Sequence, residues 1–161
     1  MLRNIMRKPA FLAKLHKEGK LELVEPSDEI SQAYAKRADE SLVSSKTLAE
    51  IGNLRDSIAL SYYAMYHSLL SLLFQVGIKS ENHSVSIQIM EEVFDLDSIS
   101  IKKAKKERID KQYYVSFEIT LEETKNAIHA SEAFILHMHD FISRINKEDI
   151  LNYRKKFLRK L

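Results

Sequence analysis

The 161 residues are 45% hydrophobic and 30% charged, with a formal net charge of +2; this is a globular composition of about one domain's length, and the charge alone implies no nucleic-acid partner. The absence of cysteine excludes disulfides, thiolate metal sites and a cysteine nucleophile. Three glycines and two prolines are too few for the many turns of an all-β fold, so the chain reads as a few long helices.

Residues 1–26 form an arm. It holds one amphipathic stretch from Ile5 to Leu15, a turn at Lys17-Glu18-Gly19-Lys20, and an apolar/acidic alternation, Leu21-Glu22-Leu23-Val24, before Pro26. A helix plus an extended segment, laid on the bundle or on a partner, fits this pattern. The basic N-terminal stretch lacks the apolar run and small-residue cleavage site of a secretory signal.

Residues 27–146 read as a helical bundle. Ser27 or Asp28 caps its first helix, Asp28-Glu29 complement the dipole, and Gly52 ends it in the left-handed conformation. The second helix carries the strongest pattern: Leu54, Ile58, Tyr62, Met65/Tyr66, Leu69/Leu70 and Leu72/Leu73 recur every three or four residues until Gly77. Apolar residues reach far around it, which makes it the central helix. The stretch Ile58–Ile78 also contains Ser61, His67, Ser68, Ser71 and Gln75, so it reads as a buried helix and not as a membrane span. Ser80–Ser84 turn into a third helix, His83–Phe94, and a basic segment, IKKAKKERIDKQYYV, follows. A last long helix covers Glu118–Ile145 with Thr124, Ala127, Ser131, Phe134, Met138 and Phe141 on its inner stripe. Residues 147–161 form a basic tail with another amphipathic turn or two.

The expected fold is therefore all-α: an up-and-down antiparallel bundle of four to five main helices with an N-terminal arm. A cytoplasmic location without membrane association accompanies it.

One run is distinctive: Arg55-Asp56-Ser57-Ile58-Ala59-Leu60-Ser61-Tyr62-Tyr63-Ala64-Met65-Tyr66-His67-Ser68-Leu69-Leu70, continued by Leu72-Leu73-Phe74-Gln75-Val76-Gly77 and then Asn82-His83-Ser84. Downstream stand Arg108, Asp110, Tyr113 and Tyr114. Together these resemble the uncharacterised prokaryotic branch of the HEPN family (higher eukaryote and prokaryote nucleotide-binding) over about residues 28–145. The resemblance implies a helical bundle that commonly dimerises and associates with a small nucleotidyltransferase, often as a toxin–antitoxin pair. Many members are metal-independent ribonucleases that use an arginine, four to six residues, then a histidine. In such a site the arginine stabilises phosphorane charge and the histidine handles a proton during attack by the 2′-hydroxyl. In and just before that window stand Gln112, Tyr113 and Tyr114, and no histidine. A tyrosine with an ordinary pKa near 10 is a poor base at neutral pH, so the catalytic residues stay unassigned.

The candidate nucleotide- or RNA-binding residues are Arg108, Tyr113, Tyr114, His67, His83 and Lys111. Arg108 offers a planar fork for phosphate and the tyrosines offer stacking faces; an Arg–Asp surface pair with core tyrosines is the alternative. His67 either faces a polar cleft with His83 or is a core histidine bonded to a neighbouring helix. His83 stands at a helix start, where free N–H groups favour an anion, or merely fixes the turn after Gly77. Lys102, Lys103, Lys105, Lys106, Arg108 and Lys111 form one basic cluster and Arg154–Lys160 a second; RNA, an acidic protein or solvent can face them. His129, His137 and His139 lack metal-ligand spacing, and no cofactor is implied. Three readings follow. The first is a HEPN-like binding protein, homodimeric, with a nucleotidyltransferase or RNA partner. The second is a ribonuclease whose His67 or His83 approaches Arg108 in space. A non-catalytic adaptor remains as the third.

Overall fold

The computed structural model describes residues 7–113 and 118–161. Among them run seven helices and one two-stranded ribbon: α1 (Arg7–Lys17), β1 (Leu21–Leu23), α2 (Asp28–Glu50), α3 (Leu54–Val76), β2 (Ile78–Ser80), α4 (His83–Glu92), α5 (Ile99–Tyr113), α6 (Leu121–Ser143) and α7 (Lys147–Leu158). The all-α bundle expected from the sequence is the fold observed.

Helix limits follow local chemistry. Ser27 is extended (φ −139°) and its hydroxyl accepts from the Ile30 N–H at 3.1 Å, which satisfies one of the free donors at the start of α2. Asn82 does the same for α4 through Val85 at 3.0 Å. Thr120 with Glu123, and Asn146 with Asp149, form reciprocal capping boxes on α6 and α7. Gly77 ends α3 at φ +79°. A Cβ there would collide with the Arg154 guanidinium and the Val24 carbonyl oxygen, so the position demands glycine for space as well as for backbone.

Helix α3 is the axis. Tyr62, Met65, Leu69, Leu72, Leu73 and Val76 are fully buried. Around them pack Val85 and Met90 of α4, Ile101 of α5, Phe134 and Met138 of α6, and Phe157 of α7. Each such side chain contributes roughly 1.5–3 kcal/mol on burial. Serines let the helices approach closely. Ser45 Oγ donates to the Ser57 carbonyl and Ser57 Oγ donates to the Ser45 carbonyl, both at 2.7 Å. Ser31 meets Ser71 at 3.1 Å, so α2 and α3 run antiparallel. Ser131 Oγ donates to the Ser61 carbonyl at 2.8 Å, which brings α6 alongside.

The arm lies on the bundle. Leu12, Leu15 and Leu21 join the main core, and β1 pairs antiparallel with β2 in the register Leu21↔Ser80, Glu22↔Lys79, Leu23↔Ile78. The basic tail at the other end differs in extent from its sequence pattern. Residues 147–158 form a full helix whose Phe157 is buried, more than the turn or two expected. The basic segment after Ser98 is helical too, although only Ile101 of α5 is buried.

Candidate phosphate-binding site

Two rows of side chains spaced four residues apart stand on α3. Tyr62 and Tyr66 form one row and Tyr63 and His67 the other, as helical neighbours must. The first row faces inward: Tyr62 is fully buried and Tyr66 is 5% exposed. The second row is half-buried. Helix α5 crosses these rows and lays Arg108 on them. Its guanidinium carbon lies 5.2 Å from the Tyr62 ring centroid and 5.4 Å from that of Tyr63, within cation–π range. Arg108 Nη1 donates to the Tyr63 hydroxyl at 3.3 Å and to Gln112 Oε1 at 3.0 Å. Arg108 Nε is buried with no hydrogen-bond partner among the described residues.

The first residue of α4 completes the cluster. The Tyr62 hydroxyl meets His83 Nδ1 at 2.7 Å, and the Tyr66 ring stacks on the imidazole at 3.7 Å and 16°. Tyr66 is held in turn by Ser86 at 3.2 Å, and Ser86 donates to Ser80 at 2.9 Å. Lys105, one turn before Arg108, donates to Ser84 beside His83. His67 stands on the other side of Tyr63, its ring 6.3 Å away, with Nδ1 3.2 Å from Ser41 Oγ.

The electrostatics all carry one sign. Burial, then Arg108 and Lys105, push the His83 pKa down. Burial, then Arg37 and His83, bring His67 down to about 4. Burial and Arg108 lower Lys105. Burial raises Tyr62 and Tyr66, so both remain phenols. Among the described residues no carboxylate pairs with Arg108, Lys105, His67 or His83. An anion entering here would find an arginine fork edge, a lysine and a helix N-terminus without an acidic competitor.

Of the residues singled out from sequence, the structure brings Arg108 and His83 onto the same tyrosine pair and places His67 next to it. Lys111 is turned to Glu123 at 3.4 Å, its side chain 13% exposed. Tyr113 is 67% exposed, and Tyr114 lies outside the described residues. His129, His137 and His139 are exposed on α6. Sequence reasoning missed Tyr62, Tyr63 and Lys105 as members of the site. The four-residue spacing of the two α3 rows, and the three-residue spacing of Lys105 and Arg108, carried that signal.

The HEPN domain model matches residues 31–140. The chain belongs to the HEPN family. The HEPN match runs from within α2 to within α6, contains α3, α4 and α5 whole, and therefore holds every member of the cluster. A UPF0332 protein of Pyrococcus horikoshii, "UPF0332 protein PH1297", is 40% identical over 58 residues, 36% of this chain and 41% of that protein. A Methanocaldococcus jannaschii protein named "Putative toxin MJ0605" is 28% identical over 116 residues, 72% of this chain and 86% of that protein. This HEPN chain thus spans about two-fifths of the first relative and most of the second. No helix among its described residues is long and apolar enough to cross a membrane.

Proposed function

We propose that this HEPN chain is the toxin-side component of a toxin–antitoxin pair and that it holds a phosphate of RNA or of a nucleotide at Arg108, Lys105 and His83. The observation that carries the reading is the buried Arg108 Nε, without a partner among the described residues, within a cationic, tyrosine-lined cluster to which no described carboxylate is paired. An orphaned buried donor costs stability, and a phosphate oxygen is the acceptor that a guanidinium fork fits best. The M. jannaschii relative's name supports the toxin assignment. A homodimer, with a nucleotidyltransferase as protein partner, completes the proposal.

The test is binding of a labelled single-stranded RNA oligonucleotide, followed by fluorescence anisotropy. Arg108→Ala should weaken binding at least about tenfold, the loss of roughly 1.4 kcal/mol or more expected for a charged hydrogen bond. Equal binding by wild type and variant, or none by wild type at micromolar protein, overturns the reading.

A second reading has one observation in its favour. His83 shares Tyr62 with Arg108, so a histidine reaches the arginine's neighbourhood from outside the four-to-six window. On that reading the chain is a metal-independent ribonuclease. Metal-free RNA cleavage abolished by His83→Gln supports it, and intact RNA removes it.

A further inference from the structure

The Tyr62 hydroxyl is buried and has one hydrogen-bond partner among the described residues, His83 Nδ1 at 2.7 Å. A phenol must place its proton somewhere, and Nδ1 is the acceptor within reach. If Nδ1 carried a proton instead, it would donate to the phenol oxygen and leave the phenol's own proton buried without an acceptor. The Tyr66 ring, stacked at 3.7 Å, and the Tyr63 ring, edge-on at 6.4 Å, oppose rotation of the imidazole that would exchange its two nitrogens. Nε2 makes no hydrogen bond within the described residues.

We propose that Tyr62 is a positioning residue: it holds His83 as the neutral imidazole with its proton on Nε2, so that His83 meets a phosphate oxygen as a hydrogen-bond donor. This rests on the reading that His83 and Arg108 together hold phosphate. The groups around the imidazole act in the same direction. Tyr62 and Tyr66 are phenols whose pKa burial raises, burial depresses His67 toward neutrality, and Lys105 and Arg108 are cations. Nothing among them favours the imidazolium. The tautomer also constrains the ribonuclease reading, because an Nε2–H nitrogen cannot take a proton from a 2′-hydroxyl. A base role would require Tyr62 to surrender its bond to Nδ1 first.

The experiment is long-range 1H–15N correlation of the histidine rings at pH 7 in the full chain. Wild-type His83 should show the Nε2–H tautomer. Tyr62→Phe, which keeps the ring, should give a mixture and raise the His83 pKa by about half a unit or more. A wild-type His83 protonated on Nδ1, or an unchanged tautomer in Tyr62→Phe, overturns the proposal. If Tyr62→Phe does not fold, the wild-type spectrum decides alone. A binding arm with the RNA oligonucleotide adds a second check: His83→Gln, whose amide N–H stands where Nε2–H stood, should bind within about threefold of wild type, while His83→Asn should lose about tenfold. Equal losses in both overturn the donor role. An Nε2–H tautomer in a protein that binds no oligonucleotide removes the phosphate reading and leaves the Tyr62 lock intact, so the two failures are distinguishable.

Discussion

Arg154 reaches from α7 to the carbonyl oxygen of Gly77 at 3.0 Å. The same Nη1 also meets the carbonyls of Val76 at 3.0 Å and Val24 at 2.7 Å. One cation thus closes the C-terminal end of α3 and fastens the segment before α2 to it. A positive charge at that end also opposes the negative pole of the helix.

Gly77→Ala should therefore be costly. The side chain would meet both Arg154 and Val24, at a backbone angle alanine rarely adopts. A loss of about 2–4 kcal/mol in urea unfolding is expected. Arg154→Met, which keeps the length and removes the donors, should lose about 1.5–3 kcal/mol. A Gly77→Ala protein as stable as wild type would show that the turn can open without consequence.

Ser45 and Ser57 exchange hydroxyl-to-carbonyl bonds across α2 and α3. Ser45→Ala should cost about 1 kcal/mol, the net worth of one such bond. Ser45→Leu should cost more, about 1–3 kcal/mol beyond that, because the position is fully buried and the larger side chain must push the helices apart. Thermal unfolding of the two variants side by side checks the order.

Arg108 carries opposite predictions for folding and for binding. Its Nε has no partner among the described residues, and that cost offsets part of what its bonds to Tyr63 and Gln112 and its contacts with the Tyr62 and Tyr63 rings contribute, so Arg108→Met should change stability by no more than about 1 kcal/mol. Arg108→Lys keeps the charge but not the fork, and should still weaken RNA binding several-fold. A large drop in melting temperature for Arg108→Met would make the residue structural.

His67 supplies a pH signature. Its pKa in the folded protein is about 4 against roughly 6.5 in the unfolded chain. Between those values the unfolded state binds a proton that the folded state does not, so stability should rise from pH 4 to pH 6.5 and level off above. The ring is half-exposed, and solvent screening reduces its share to on the order of 1 kcal/mol. His67→Phe, which retains the ring contacts with Tyr34 and Tyr63, should flatten that part of the stability curve measured by urea unfolding. An identical slope in the variant would assign it to other groups.

The bundle was legible because each long helix announces its ends: Ser27 and Gly52 bound α2, Gly77 bounds α3, and the apolar rhythm from Leu54 to Leu73 gives α3 its central place. The α5 helix was harder to see. Its sequence buries Ile101 alone, so no apolar stripe rises above the lysines. The β1–β2 ribbon went half unseen, since Ile78–Ser80 is too short for an alternation to register. Arg108 and His83 were each legible as candidate residues. Their meeting on Tyr62 was not, because it depends on how α5 crosses α3, and no local pattern encodes a crossing. Lys111 shows the reverse: a member of a basic cluster by sequence, it is turned to Glu123 across the α5–α6 junction.

The ribbon that anchors the arm ends just before the helix that begins with His83. Leu21 pairs with Ser80, the Glu81 N–H donates to the Lys20 carbonyl at 3.0 Å, and Asn82 and His83 come next in the chain. Ser80 further receives the hydroxyl of Ser86, which steadies Tyr66. Severing the backbone between Lys17 and Lys20, or grafting a bulky tag into that turn, should thus disturb the imidazole's resonances long before it unfolds the core, so that a cut or an affinity handle in the arm registers at the first residue of α4.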